Sequence, residues 1–237
     1  LERTFAMPAR VAVKSRRDLP AYSVVEAALY VRIAPATLRS WVVGREYETS
    51  TGSRRFQPLV RLADSRRGLL SFNNLVEAHV LRALRTQHGT PIRSIRTALR
   101  YAESELGVER LLLSKELCTD KRDLFLERYG QLINLSRSGQ MAMRAVLESH
   151  LKRIEWDSHA FPARLYPFVR SETTESPCHV AIDPDIGFGR PILLSRGIST
   201  RTIVDRIDAG ELPLAVADDY ALTLSEVEEA VLYERAA

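Results

Sequence analysis

Between Tyr22 and Arg45 the apolar positions fall into two short helical blocks with a break between them. The first opens on Ser23-Val24-Val25-Glu26, the spacing at which a cap hydroxyl and a returning carboxylate satisfy each other's backbone amides. Val25, Ala28 and Leu29 then share a face at helical period. The break falls at Arg32-Ile33-Ala34, and Pro35 takes the first position of the second block, where its missing N–H is harmless. Leu38, Trp41 and Val42 recur there at i, i+3 and i+4, with Ala36, Arg39, Ser40 and Val43 opposite and Gly44 placed to end the helix. Two short helices, an apolar elbow and a small or basic outer face describe a helix-turn-helix. A plain buried αα-hairpin has the same pattern, so the surrounding chain has to decide.

From Glu46 to Gly68 the chain is punctuated by Gly52, Pro58 and Gly68 and carries the basic pairs Arg54-Arg55 and Arg66-Arg67. Phe56, Leu59, Val60 and Leu62 supply strand-like segments, the pattern of a wing beside the recognition helix. Asn73 or Asn74 is expected to cap a helix through about Thr86, with Leu75, Val76, Val80, Leu81 and Leu84 inward. Thr90-Pro91 starts another, with Ile92, Ile95, Leu99 and Ala102 in one stripe and Arg93, Arg96 and Arg100 in a second. That second stripe reads either as a phosphate-facing ridge or as a solvated face. From Gly107 the period drifts towards two, which predicts short strands at Leu111–Leu113, Leu124–Leu126 and Gln131–Ile133. A helix follows over about Gln140–Lys152, and Ile154, Trp156, Leu165, Tyr166 and Phe168 predict closing strands around Phe161-Pro162. The polar run Ser171–Pro177 reads as a linker. Beyond it come two strands around the turn at Pro184–Pro191, then helices over Thr200–Ala209 and Leu214–Asp219. A third opens on a second capping box, Thr223-x-x-Glu226, with Val227, Ala230, Val231 and Tyr233 inward.

The 237 residues suffice for two domains, and 45% hydrophobic with 27% charged residues is ordinary for a globular protein. The net charge of +4 hides an asymmetry. Residues 1–100 carry 18 Lys+Arg against 7 Asp+Glu, residues 101–177 carry 11 against 12, and residues 178–237 carry 5 against 11. This predicts a polyanion at the front and a basic partner at the back. Lys14, Lys115, Lys121 and Lys152 are the only lysines. Arginine's planar fork suits phosphates and guanine edges. Leu1–Pro20 has no periodicity and carries Arg10, Lys14, Arg16 and Arg17, the composition of a flexible basic arm. Cys118 and Cys178 stand alone, so no disulfide framework or zinc site is read. No apolar run approaches a membrane span and Leu1-Glu2-Arg3 does not open a signal peptide; the expected compartment is cytoplasmic.

The order of helix-turn-helix, arginine-bearing hairpin and two further helices resembles the winged helix-turn-helix of MerR-type regulators over roughly Tyr22–Ala102. It is carried by Ala28, Leu29, Ile33, Pro35, Thr37, Leu38, Arg39 and Trp41, and departs at Arg32, where that pattern has a turn glycine. The last sixty residues are similar to the antitoxin domain of unknown function 433 paired in bacteria with PIN-like toxins. Ile182-Asp183-Pro184, Ile186, Gly189-Arg190-Pro191, Ile198, Ile203, Gly210, Ala217, Tyr220, Leu224, Val227, Ala230 and Tyr233 carry that pattern, with Ser195-Arg196-Gly197 where the family has Gly-Thr-Arg. Together they resemble a long VapB-type antitoxin of a type II toxin–antitoxin system. The predicted fold class is α+β, mainly α. Its parts are a basic arm (1–20), a winged helix-turn-helix (21–106), a small middle α+β layer (107–170), a linker (171–177), and a C-terminal two-strand, three-helix unit of homeodomain-like kind (178–237).

Function follows as an expectation. A homodimer is expected to bind double-stranded operator DNA and repress its own operon. Thr37, Arg39 and Ser40 would face base edges in the major groove, with Arg45, Arg54 and Arg55 on the backbone. The resemblance implies a PIN-like ribonuclease toxin as partner. Charge complementarity assigns it to the acidic C-terminal unit, through Asp205, Asp208, Asp218 and Asp219. No cofactor and no catalysis are expected. The alternatives are a MerR-like regulator whose C-terminal unit dimerises or senses a ligand, and a metal-dependent nuclease built on Asp183, Asp185 and the four aspartates above. Gly187-Phe188-Gly189 is too short for a nucleotide loop, and His79, His88, His150, His159 and His179 are scattered without nucleophile partners.

Overall fold

The computed structural model describes residues 15–49, 52–85, 92–107, 109–118, 122, 125–127, 130, 137–169 and 178–235. Most of the basic arm, the 171–177 segment and the segment expected as a strand at 131–133 lie outside them.

Helix α1 (Val24–Tyr30) starts on Ser23, whose hydroxyl accepts from the Glu26 amide while the Glu26 carboxylate accepts from the Ser23 amide at 2.9 Å. Helix α2 (Pro35–Val42) has proline in its first turn and buries Leu38, Trp41 and Val42. The apolar face of α1 is shifted by one residue from the expected one. Val24, Ala27, Ala28 and Val31 are buried, whereas Val25 and Leu29 are 58% and 41% exposed. A seven-residue helix rich in small and apolar residues fits both registers by period alone, and packing against α2 selects one. Arg32, where a glycine was expected, has φ 57°. A left-handed residue at this elbow turns the chain, at about 1 kcal/mol for a side-chain-bearing residue.

Gly44, at φ 87°, leads into an antiparallel hairpin of β1 (Arg45–Thr49) and β2 (Gly52–Phe56), with Glu46 opposite Arg55 and Tyr47 opposite Arg54. The strand-like character expected around Leu59–Leu62 does not become strand. There the chain runs back along α2, with the Leu59 and Val60 amides donating to the Trp41 carbonyl at 2.7 and 3.1 Å. Helix α3 (Phe72–Arg85) follows, and twelve of its fourteen residues are buried. Its cap is Ser71, not Asn73 or Asn74. The Asn74 amide donates to the Ser71 hydroxyl, and Asn74 Oδ1 accepts from the Ser71 amide at 3.1 Å. Asn74 also accepts from the Ala63 amide and donates to the Arg61 carbonyl and to Glu77. Glu77 in turn accepts two hydrogen bonds from Arg110, each 2.9 Å. Helix α4 (Ile92–Leu106) buries Ile95 and Leu99 of its expected stripe, with Ala98 beside them; the side chains of Ile92 and Ala102 lie outside the described residues.

The middle of the chain departs from expectation. Leu111–Leu113 forms a 3-10 turn instead of a strand, and 125–127 is helical. The leucines are buried in either case. A run of three fits any element that is covered on all sides, so periodicity could not separate them. Helix α5 (Arg137–Leu151) packs on α3. Strands β3 (Ile154–Trp156) and β4 (Pro162–Leu165) pair as an antiparallel hairpin. Leu165 of β4 then pairs with Ile182 of β5 (Val180–Ile182), and β6 (Pro191–Leu193) and β7 (Ile198–Ser199) complete a five-stranded antiparallel sheet in chain order. One sheet therefore joins the middle segment to the C-terminal one. Helices α6 (Thr200–Asp208), α7 (Pro213–Tyr220) and α8 (Leu224–Arg235) pack around Ile203, Val216, Val227 and Tyr233. The second capping box forms, with the Thr223 amide donating to Glu226 at 2.7 Å.

Front and back are also clasped directly. Arg32 donates to the Tyr233 carbonyl and lies 4.3 Å over the Tyr233 ring, within cation–π range. The Tyr233 hydroxyl donates to the Tyr30 carbonyl at 3.2 Å. The buried Tyr22 hydroxyl donates to the Gly189 carbonyl at 2.9 Å. A side chain at Gly189 would place its Cβ 2.1 Å from that hydroxyl, at a backbone φ of 73°.

Gly189→Ala is therefore expected to destabilise the chain by roughly 2–3 kcal/mol, combining left-handed strain with loss of the tyrosine hydrogen bond. Adding Tyr22→Phe should recover part of the loss, because the clashing atom is the hydroxyl itself. Urea midpoints of the single and double variants check this; additive losses would refute the clash.

The buried His79 gives a pH dependence. Its Nε2 lies 3.0 Å from the His150 carbonyl and its ring stacks at 5.7 Å on Phe168. Burial, followed by the charge of His150, holds its pKa far below the usual 6.5. The unfolded histidine takes up a proton near pH 6.5 that the folded one refuses. Stability is thus full above about pH 6.5 and falls below it, by up to about 1.4 kcal/mol per pH unit, until the folded ring also protonates. Denaturation midpoints between pH 7.5 and 5 should show this slope, and His79→Gln should flatten it.

Candidate nucleic-acid interface and acidic C-terminal face

Helix α2 presents its outer face to solvent. Ala36 and Arg39 are exposed, and Thr37 and Ser40 are half-buried beside them. Arg39 has no ion pair among the described residues. The Ser40 hydroxyl donates to the Thr37 carbonyl at 2.7 Å, which leaves its lone pairs outward and makes it an acceptor. The hairpin stands at the C-terminal end of α2. Arg55, exposed on β2, donates to the Val43 carbonyl at 3.1 Å, so the hairpin is tied to the last turn of the helix. Arg45 is exposed at the start of β1, and the Arg54 backbone lies opposite Tyr47; the Arg54 side chain is outside the described residues. The fold thus gathers Thr37, Arg39, Ser40, Arg45 and Arg55 around one helix and one hairpin. Arg96 of α4 joins them from a distance in sequence, donating to the Gln57 carbonyl just beyond β2.

The acidic candidates lie on the exposed outer surface of α6 and α7, largely paired. Asp205 meets Arg201 at 2.8 Å, Asp208 meets Arg235 at 3.0 Å, and Asp219 meets Arg206 at 2.6 Å, with Glu211 sharing that arginine. The hydrogen bonds that Arg206 donates to Glu211, then to Asp219, push its pKa up. Asp218 is exposed with no ion pair among the described residues. The same helix exposes Leu214, and Leu212 precedes it, at 62% and 72%. The departure at Ser195-Arg196 has a local use: Ser195 donates to Glu226 and Arg196 donates to the Ala221 carbonyl at 3.0 Å, gripping the turn between α7 and α8.

The carboxylates considered for a metal serve the fold. Buried Asp183 accepts from Arg164 at 2.8 and 3.0 Å and from the Asp185 amide, while Asp185 faces Arg16 at 3.5 Å. Among the described residues no group of three or more His, Cys, Asp or Glu could hold a metal ion. No helix among them is long and apolar enough to cross a membrane. Sequence reasoning missed the clasp of Arg32, Tyr22 and Tyr233. Its one visible signal was an arginine at the elbow where glycine was expected.

A front half built on a helix-turn-helix and a sheet-and-three-helix back define a DNA-binding regulatory class, and comparison with known proteins agrees. Residues 20–99 match a family described as "Putative DNA-binding HTH domain", and residues 180–233 match "Protein of unknown function (DUF433)". The chain is 30% identical to the "Putative antitoxin VapB45" of Mycobacterium tuberculosis, over 91% of this chain and 94% of that protein. It is 25% identical to the uncharacterized protein Rv2308 of the same organism, over 97% and 96%. The crystal structure of Rv2018 from M. tuberculosis shares its fold, with a TM-score of 0.67 at 24% identity, covering 92% of this chain and all of that one. The chain belongs to the VapB-type antitoxin family.

Proposed function

We propose that this protein is the antitoxin of a type II toxin–antitoxin pair, neutralising a PIN-like ribonuclease by direct binding and repressing its own operon as a homodimer on DNA. The observation that carries the proposal is the end-to-end match to a relative named as an antitoxin, 94% of which is covered. A helix-turn-helix at the front of the same chain supports the DNA role. In this reading α2 enters the major groove, with Thr37, Arg39 and Ser40 towards base edges, and the hairpin acts as a wing, with Arg45, Arg54 and Arg55 on phosphates. The toxin docks on the α6–α7 face. Leu212 and Leu214 supply apolar contact, Asp218 has no ion pair among the described residues, and Asp205, Asp208 and Asp219 are available by exchange of partners. In this reading both activities are cytoplasmic.

Titration of its own promoter at rising salt tests the DNA role. Log K should fall steeply with log salt as counterions are released. Arg39→Ala should cost about 1–3 kcal/mol and relax preference at one base position, whereas Arg45→Ala should weaken all sequences alike and reduce the salt slope by about one unit. Variants that bind like the parent would make the helix-turn-helix purely structural.

Co-purification with a PIN-like protein encoded next door tests the second role. It requires the full chain, since cutting at 171–177 would part β4 from β5. Leu214→Asp should abolish capture, and Asp218→Lys should slow association roughly tenfold at low salt. Unchanged capture would move the toxin site off this face, and no capture by the parent would leave a transcription regulator alone.

A further inference from the structure

A cavity of about 630 Å³ opens between the return from the hairpin, α3 and α4. The sequence of α4 gives it two poles. Arg96, Arg100 and Glu103 stand at i, i+4 and i+7 on one face, and seven residues at 1.5 Å each separate the ends by about 10 Å. At one end Arg96 reaches the Gln57 carbonyl while its Nε is buried without a partner. Burial, and then the like charge of Arg100, push the Arg96 pKa below its usual range. Arg61, Arg96 and Arg100 all line the cavity, and none has a carboxylate partner among the described residues. At the other end Glu103 accepts from the Leu111 amide at 3.1 Å, beside Glu109 and the Arg110–Glu77 pair. Leu59, Leu62 and Leu99 form apolar wall between the poles.

We infer that this cavity binds a small phosphomonoester of nucleotide size, its phosphate on Arg96 and Arg100 and its hydroxyl or amino groups on Glu103 and Glu109. The dianion answers two neighbouring guanidinium groups, Arg96 partly buried with an unpartnered Nε and Arg100 exposed one turn further along α4, and their forks match phosphate oxygens. The volume lies within the range of small-molecule sites, and an apolar middle with a few polar groups at the ends is their usual make-up. A DNA strand fits poorly, because its next phosphate would meet the carboxylate pole. The Gln57 contact makes the site continuous with the base of the hairpin.

The test is calorimetric titration of the full chain with AMP, GMP, CMP and UMP, and with inorganic phosphate. At least one nucleotide should bind one-to-one and about tenfold more tightly than phosphate alone. Arg100→Gln should weaken that binding by about tenfold or more, and Glu103→Gln by roughly threefold, with circular dichroism unchanged. Binding no tighter than inorganic phosphate, or binding indifferent to Arg100→Gln, would overturn the inference. So would Arg100→Gln weakening promoter binding while no nucleotide binds, which would assign the arginines to the DNA surface.

Discussion

The structure depends on one helix that has no solvent side. Residues 72–84 of α3 are buried but for Arg82, and the buried set includes Asn73, Asn74, Glu77 and His79. A polar group in such a place is costly unless paired. Each pairing fixes a different part of the chain. Asn73 donates to Asp18 and so fixes the N-terminal turn; Asn74 holds the return from the hairpin. Glu77 recruits Arg110 at one end of the cavity, and His79 meets the last turn of α5. The apolar residues of α3 drive the collapse, and its polar residues decide which segments lie where.

The second constraint ties front to back. The helix-turn-helix elbow carries Arg32 in a left-handed conformation and lays its guanidinium on Tyr233 of the last helix. The neighbouring Tyr22–Gly189 bond and the shared β4–β5 pairing act in parallel. The backbone strain at Arg32 is offset by a contact that glycine could not make. The basic front and acidic back, opposite in charge, are thereby held in one framework. An event on the α6–α8 side has a short hydrogen-bonded and packed route to the elbow before α2.

Charge is handled differently at the two ends. On the outer face of α2 Arg39 has no ion pair among the described residues, which is where a polyanion would be met. On α6 and α7 three of the four candidate aspartates are paired with arginines, so the acidic surplus read from composition overstates the field that a partner would meet. Ion pairs this exposed contribute little to stability and exchange easily.

By itself the sequence determined what is local. Both capping boxes, the proline start of α2, its Leu38-Trp41-Val42 face and the three C-terminal helices were legible, because caps and i, i+3, i+4 stripes are set by neighbours in the chain. The helix-turn-helix and its candidate residues Thr37, Arg39 and Ser40 were legible for the same reason. Only the tertiary structure decided the rest. It chose Val24 over Val25 as the buried face of α1, and Ser71 over Asn73 or Asn74 as the cap of α3. It made helical turns of the 111–113 and 125–127 segments, which fit strand or helix equally. It also joined Arg32 to Tyr233, Tyr22 to Gly189 and Arg96 to Gln57. Those pairings lie 201, 167 and 39 residues apart, beyond the reach of any local period, and they exist only once the helices have packed.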